Sequence, residues 1–130
     1  MSQEPPGRPA RPILIVDDDP DVAGVLAAIL AEEGRVAAIA RDGHEALALA
    51  RAALPALILL DVLLPDLNGP EVCRRLQADP ATARIPIVFV TGTPTALTDG
   101  RLVGCAHRGI LRKPVSFDEL LATVQRHLTA

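Results

Sequence analysis

The sequence predicts an α/β protein, a doubly wound parallel sheet of five strands with five helices. Short apolar runs alternate along the chain with longer segments whose apolar residues recur at helical spacing, a pattern typical of a parallel sheet covered on both faces. The chain has 130 residues, of which 49% are hydrophobic and only 2% aromatic. One domain of this size can bury a core, and that core must consist mainly of aliphatic side chains.

The strand candidates are the short apolar runs. Ile13–Val16 and Leu57–Leu60 are apolar throughout, as expected of strands buried on both faces of a sheet. Val36–Ala40 is a weaker candidate. In chain order, the predicted strands are Ile13–Val16, Val36–Ala40, Leu57–Leu60, Ile87–Val90 and Gly109–Arg112.

The helix boundaries follow from capping signals. Asp19 followed by Pro20 combines a good N-cap with proline at the first helical position. Ser116 and Glu119 match a capping box that opens the last helix. Pro94–Val103 is the poorest helix candidate because glycines interrupt and close it. The predicted helices are Pro20–Glu33, Gly43–Ala53, Pro70–Gln77, Pro94–Val103 and Ser116–His127.

Charge and hydropathy exclude several classes of partner. Residues Met1–Arg11 are rich in proline and predict a flexible tail before a folded domain at 12–130. The formal net charge of -3 gives no overall attraction to nucleic acid or anionic lipid. No apolar run is long enough to span a membrane, and the N-terminus carries no secretory signal. We therefore expect a cytoplasmic protein that binds neither nucleic acid nor membranes.

The two cysteines, Cys73 and Cys105, lie in unrelated contexts. Without a CxxC pair they suggest neither a zinc site nor a redox dithiol. They are interpreted as small, buried apolar residues.

Polar side chains follow the predicted strands at the points where the strands end. In parallel sheets of this kind, sites form beyond the carboxyl ends of the strands, so we expect these side chains to lie together. One of them is the only lysine in the chain. The residues are Asp17, Asp18 and Asp19 after the first strand, Asp61 after the third, Thr91 after the fourth and Lys113 after the fifth.

This set of side chains is suited to phosphoryl transfer. Crowded carboxylates raise one another's pKa, and a hard dication such as Mg²⁺, which prefers oxygen ligands, removes that penalty. Lys113 adds a compact positive charge, and Thr91 offers a hydroxyl donor to a phosphoryl oxygen. Because phosphoryl transfer depends mostly on positioning and charge neutralisation, Asp61 is predicted to be the nucleophile that forms an aspartyl-phosphate.

The order and spacing of these residues resemble the receiver domains of two-component response regulators, which have the CheY-like, flavodoxin-like fold. Thr91 lies 30 residues after Asp61, and Lys113 lies 52 after it. The resemblance covers nearly the whole chain after the tail. The matching stretches are I-L-I-V-D-D-D-P at Ile13–Pro20, L-L-D-V-L-L-P-D-L-N-G at Leu59–Gly69, V-T-G at Val90–Gly92 and K-P at Lys113–Pro114.

The resemblance implies a role for each matching position and a strand order of 2-1-3-4-5. Asp61 is the implied phosphoacceptor, and Thr91 and Lys113 are implied to bind the phosphoryl group. Asp61 and Asp18 bind Mg²⁺ directly, Asp17 assists through water, and Leu63 contributes its backbone carbonyl. The implied peptide bond between Lys113 and Pro114 is cis.

The resemblance also implies partners and a mode of action. The donor is a phosphohistidine on a sensor histidine kinase or a histidine phosphotransfer protein. The chain is not an enzyme beyond its own phosphorylation and dephosphorylation. It ends just after the last predicted helix, so we expect either output through a separate protein or a receiver cut from a longer chain. A downstream protein is expected on the face formed by the fourth predicted helix, the fifth strand and the last helix.

One position departs from the family pattern. Three residues before the lysine the family usually has tyrosine or phenylalanine, which acts as a switch coupled to the threonine. Here that residue is Ile110. We expect the signal to depend less on this side chain and more on the backbone of Thr91–Gly104.

Several alternatives stay open at this stage. The chain could be a receiver-like binding module, or a phosphorelay or phosphate-sink intermediate without phosphorylation-driven output. A haloacid-dehalogenase-type phosphatase uses similar residues in a different chain order, and the Thr/Gly-rich stretch at Thr91–Thr95 faintly resembles a flavodoxin phosphate loop. Asp19 is interpreted as a helix cap, and the three histidines as surface or structural residues.

Overall fold

A computed structural model describes residues 11–92 and 105–128 of the chain. These residues contain one five-stranded sheet, all parallel, in the order β2-β1-β3-β4-β5, as the resemblance implied. The strands are β1 at Ile13–Val16, β2 at Ala37–Ala40, β3 at Leu57–Asp61, β4 at Ile87–Thr91 and β5 at Ile110–Arg112.

Four helices lie within the described residues, where five were predicted for the whole chain. The predicted helix Pro94–Val103 lies outside the described residues, and so does the predicted tail as far as residue 10. The described helices are α1 at Pro20–Glu32, α2 at Gly43–Ala53, α3 at Gly69–Ala78 and α4 at Phe117–Leu128.

The core lies on both faces of the sheet because neighbouring strand residues point in opposite directions. Leu14 and Val16 pack with α2 and α3 on one face, and Ile13 and Ile15 pack with α1 and α4 on the other. Every residue of β1, β3 and β4 is buried. Strands buried on both faces are held firmly, so the side chains at their ends are also held in fixed positions.

The helix starts follow the predicted capping signals. The Asp19 carboxylate accepts a hydrogen bond from the Asp21 N–H at 2.9 Å, which confirms the interpretation of Asp19 as a helix cap. The Ser116 hydroxyl oxygen accepts one from the Glu119 N–H at 3.0 Å, as expected for the capping box. These caps fix where the chain leaves the strand ends and enters the helices.

The interpretation of the cysteines as small, buried apolar residues was wrong in two respects, because the two form a disulfide and because Cys105 is only partly buried. Cys73, on α3, and Cys105, just before β5, form a disulfide with their Cα atoms 5.8 Å apart. Cys73 is fully buried in the core, as predicted. The pairing escaped the sequence analysis because 32 residues separate the two cysteines and only the folded topology brings them together.

Candidate functional site

The predicted site residues meet at the carboxyl edge of the sheet. Asp61 is the last residue of β3, and Thr91 is the last residue of β4. Asp17 directly follows β1, and the register places Val16 beside Leu60, so Asp17 and Asp61 leave neighbouring strands side by side.

Three carboxylates form a compact cluster. Asp17, Asp18 and Asp61 each offer an oxygen atom, and these oxygens all lie within 4.8 Å of one another. Asp17 and Asp61 are buried, whereas Asp18 is exposed. The cluster therefore has a buried base and an open side, and it offers the oxygen ligands that Mg²⁺ prefers.

Lys113 bridges the two buried carboxylates. Its Nζ lies 2.8 Å from Asp17 Oδ2 and 3.2 Å from Asp61 Oδ2. Three carboxylates thus lie near one ammonium group, so the cluster carries two uncompensated negative charges. A dication would balance that charge, so the residues present fit Mg²⁺.

The pKa values of this cluster reflect burial and shared charge. Burial raises the pKa of Asp61, the positive charge of Lys113 lowers it, and the negative charge of Asp17 raises it again, so that the pKa lies above its ordinary value. Desolvation lowers the pKa of Lys113, but the hydrogen bond to Asp17 and the charge of Asp61 outweigh it and raise the pKa overall. Lys113 therefore stays protonated, and Asp61 gains from any further positive charge.

Thr91 is buried beside this cluster. Its backbone carbonyl accepts a hydrogen bond from the Lys113 N–H at 2.9 Å, so the two residues are fixed relative to each other through the β4–β5 pairing. The peptide bond between Lys113 and Pro114 is cis, as predicted. The contact of the threonine hydroxyl with a phosphoryl group stays a prediction.

The loop after β3 is shaped by a close approach of the backbone. The Gly69 N–H donates to the Val62 carbonyl at 2.7 Å. A methyl group at Gly69 would overlap the carbonyl oxygen of Asp61 and would lie 2.9 Å from Val62 Cα. Only glycine fits here without displacing the loop after β3. In this loop the backbone of Leu63 helps to lower the pKa of Asp61, while the role of the Leu63 carbonyl as a metal ligand stays a prediction.

The sequence analysis missed one carboxylate that holds this loop. Asp66 accepts hydrogen bonds from the N–H groups of Gly43 at 2.7 Å, His44 at 2.9 Å and Leu67 at 2.7 Å. Desolvation raises the pKa of Asp66, but these bonds lower it much further, to well below its usual range. Asp66 thereby joins the loop after β3 to the start of α2. No local signal could have paired residues 22 positions apart.

The histidines lie outside the carboxylate cluster, as predicted. His44 is exposed and its Nδ1 lies 2.5 Å from Asp66 Oδ2. His107 packs edge-on against Phe89 with ring centroids 5.4 Å apart. These contacts are structural, which agrees with the interpretation of His44 and His107 as surface or structural residues.

Comparison with known proteins identifies the class to which this fold and site belong. The family model of the response regulator receiver domain matches residues 13–125. The chain therefore belongs to the response regulator receiver domain family.

Individual relatives are similar to this chain in sequence. The chain is 39% identical over 115 residues to the protein PilH of Pseudomonas aeruginosa, covering 86% of this chain and 93% of PilH. It is 38% identical over 116 residues to the DNA-binding response regulator MtrA of Mycolicibacterium smegmatis, covering 89% of this chain but only 50% of MtrA. The chain thus spans about half the length of MtrA and nearly all of PilH.

A solved structure adds a metal-bound example. The receiver domain of the sensor histidine kinase PA1611 from Pseudomonas aeruginosa, solved with a magnesium ion coordinated in its active-site cleft, matches with a TM-score of 0.82 and 29% identity. The match covers 94% of this chain and 100% of that domain.

Within residues 11–92 and 105–128, no helix has the length and apolar character needed to cross a membrane.

Exchange of Lys113 for arginine is expected to impair phosphoryl loading although the charge is kept. The ammonium fits between two carboxylate oxygens at 2.8 and 3.2 Å, and a planar, bulkier guanidinium cannot make both contacts in the same space. We expect loading by acetyl phosphate to slow by at least about tenfold, measured by intact-protein mass over time. The exposed neighbour Arg112, exchanged for lysine, is the control and should load like the parent. Equal loading by both variants and the parent would contradict a special role for Lys113.

Proposed function

We propose that this chain is a phosphorylation-controlled receiver that takes a phosphoryl group from a phosphohistidine donor onto Asp61 and signals to a separate protein. The observation that carries the proposal is the position of Asp61. It ends a fully buried strand, lies within 4.8 Å of two further carboxylates and contacts the Lys113 ammonium at 3.2 Å. The open side of this cluster leaves room for an incoming phosphoryl group.

The proposed reaction needs little beyond placement and charge. A carboxylate oxygen of Asp61 attacks the phosphorus, the bond from phosphorus to the donor imidazole breaks, and an acyl phosphate forms. Lys113, already next to Asp61, pairs with the transferred group, and the Thr91 hydroxyl donates to one of its oxygens. Asp17 and Asp18, with Asp61 and the Leu63 carbonyl, would hold Mg²⁺, which supplies the positive charge that neutralises the phosphoryl oxygens.

The proposed donor surface lies next to the site. An apolar groove of about 440 Å³ runs beside Lys113 and is lined by residues of α1 and of the segment after β5. Val25, on the rim of this groove, exposes 59% of its surface. A kinase or phosphotransfer protein that presents its phosphohistidine to Asp61 must cover this neighbourhood, and an apolar groove suits such a contact. The apolar lining residues are Val22, Val25, Leu26, Pro114 and Val115.

The experiment that tests the function is phosphoryl loading of the whole chain. Incubation with acetyl phosphate and Mg²⁺ should add one phosphoryl group, and hydroxylamine should remove it because the product is an acyl phosphate. Absence of loading, or a group that hydroxylamine does not remove, would overturn the proposal. Continuous release of phosphate from p-nitrophenyl phosphate would instead support the phosphatase alternative. Loading without any change in conformation would support the phosphate-sink alternative.

Truncation of Ile110 to alanine is expected to leave most of the response intact. Ile110 exposes 42% of its surface on the edge strand β5 and has no hydroxyl, and its β-branched side chain is restricted in χ1. The response is expected in the backbone that follows Thr91, although residues 93–104 lie outside the described part of the chain. NMR spectra with and without beryllofluoride should show more than about half of the parent shift changes in the variant.

The matched control is Leu111→Ala, because Leu111 is the buried neighbour in the same strand. This variant should lose stability through the cavity left in the core. If Ile110→Ala abolishes the spectral response while remaining folded, the aliphatic side chain acts as the switch and the expectation is wrong.

A further inference from the structure

The disulfide fixes the chain that enters β5 to the side of α3. Cys73 lies on α3, and Gln77 lies one turn further along the same helix. The Gln77 side chain accepts a hydrogen bond from the Ala106 N–H at 2.8 Å and donates one to the Ala106 carbonyl. Two consecutive residues, Cys105 and Ala106, are therefore held on one face of α3, one covalently and one by a pair of hydrogen bonds.

The two cysteine residues differ in exposure to solvent. Cys73 is fully buried, whereas Cys105 is partly exposed. Because Cys105 is the more exposed of the two residues, we expect a thiolate from solution to attack the Cys105 sulfur, with Cys73 as the leaving group. In thiol–disulfide exchange, Cys105 would therefore form the mixed disulfide and Cys73 would be released as the thiol.

A basic pocket lies beside Ala106, the residue that follows Cys105 in the chain. A pocket of about 350 Å³ is lined by Gln77 and Ala106, the residues bonded beside the disulfide, together with Arg84 and Arg108. Both arginines are exposed, and neither forms an ion pair with an acidic residue in the part of the chain that the structure describes. Two guanidinium groups attract carboxylates and stabilise a nearby thiolate.

We propose that Cys73–Cys105 is a reversible thiol–disulfide exchange site for small thiols that carry carboxylates, which dock between Arg84 and Arg108. The docked thiolate attacks the Cys105 sulfur, the bond to Cys73 breaks, and Cys73 takes up a proton. A second thiol then attacks the mixed disulfide and releases Cys105 as a thiol. In total the protein disulfide gains two electrons and two protons, and two thiols become one small disulfide; oxidation by that small disulfide is the reverse reaction.

The redox state of the disulfide is coupled to the site at Asp61. This coupling rests on the proposed function. The disulfide closes a loop that contains all of β4 with Thr91. The helix that carries Cys73 begins at Gly69, which packs against the Asp61 backbone. Oxidation therefore ties the far end of the chain that follows Thr91 to the same helix that borders the acceptor. In the reduced protein Cys105, which leads into β5, is no longer covalently tied to this helix, so reduction should favour binding of a phosphoryl group.

The exchange is tested with reduced glutathione, which carries carboxylates, and cysteamine, which carries an amine instead. At equal thiolate concentration, glutathione should reduce the native protein at least about fivefold faster, and added salt should diminish the difference. Exchange of both Arg84 and Arg108 for glutamine should remove the difference. Exchange of Arg41, which does not line the pocket, should leave it unchanged. Equal rates for both thiols, or reduction only after denaturation, would overturn the exchange site.

The coupling is tested by beryllofluoride binding in the presence of Mg²⁺. The reduced protein should bind about fivefold more tightly than the oxidised protein, and the Cys73→Ala/Cys105→Ala variant should bind like the reduced form under either condition. Equal affinities of the oxidised and reduced forms would overturn the coupling. If neither form binds beryllofluoride, the proposed function fails and the coupling with it, while the glutathione experiment still decides the exchange site.

Discussion

Asp61→Asn is expected to abolish phosphoryl loading, with a loss of at least about a thousandfold relative to the parent. An asparagine amide is uncharged and cannot form the acyl phosphate, and no other described carboxylate both ends a buried strand and contacts Lys113. The substitution keeps the size of the side chain, so the fold should survive at the end of β3. Intact-protein mass after incubation with acetyl phosphate and Mg²⁺ is the measurement.

The matched control for this variant is Asp19→Asn. It makes the same chemical change close to the carboxylate cluster, but Asp19 caps α1, and asparagine caps helices about as well as aspartate. The control should load like the parent. If Asp61→Asn loads as well as the control, the assignment of the phosphoacceptor is wrong, whatever the family of the chain.

Removal of Mg²⁺ is expected to have an effect of similar size. Lys113 neutralises only one of the three carboxylates. Without a dication the site therefore keeps two negative charges, which repel an incoming phosphoryl group. EDTA should therefore reduce loading to background. Undiminished loading in EDTA would refute a role for the metal.

Asp17 and Asp18, which follow β1, should differ in how much each contributes to Mg²⁺ affinity. Both Asp17 oxygens already have partners, since Oδ1 accepts from the Asp19 N–H at 2.9 Å and Oδ2 contacts Lys113 at 2.8 Å. Asp18 is exposed on the open side of the cluster, where a direct ligand is needed. Calorimetric titration should show Asp18→Ala weakening Mg²⁺ affinity by about a hundredfold and Asp17→Ala by about tenfold.

The control for this ranking is Asp21→Ala in the first turn of α1, which removes a nearby negative charge outside the cluster. Its Mg²⁺ affinity should stay close to that of the parent. Equal affinities of Asp17→Ala and Asp18→Ala would refute the ranking and indicate that both carboxylates bind the metal in the same way.

Local sequence patterns predicted the strands whose position depends on the burial of their own apolar residues. The apolar runs gave β1 at its observed bounds and β3 and β4 to within one residue, because strands buried on both faces tolerate few polar side chains. Asp61 was placed correctly at a strand end for the same reason. Where burial is weaker, as in β2, the predicted start at Val36 was one residue early.

The features that the sequence did not reveal depend on contacts across the fold. Cys73 meets Cys105, and Asp66 meets His44, only after the sheet and its helices have assembled. Neither pair carries a spacing or motif that marks it in the chain. The strand order and the cis peptide bond before Pro114 agreed with the family resemblance, whereas periodicity alone would not have supplied them.

The close approach of Gly69 to Asp61 limits which sequences can keep this site. Position 69 contributes no functional group, yet any side chain there would collide with the backbone of Asp61. In a library of random substitutions selected for phosphorylation, position 69 should therefore be as intolerant as position 61. A search for functional residues by such selection would recover both, and only the geometry separates the residue proposed to react from the one that makes space for it.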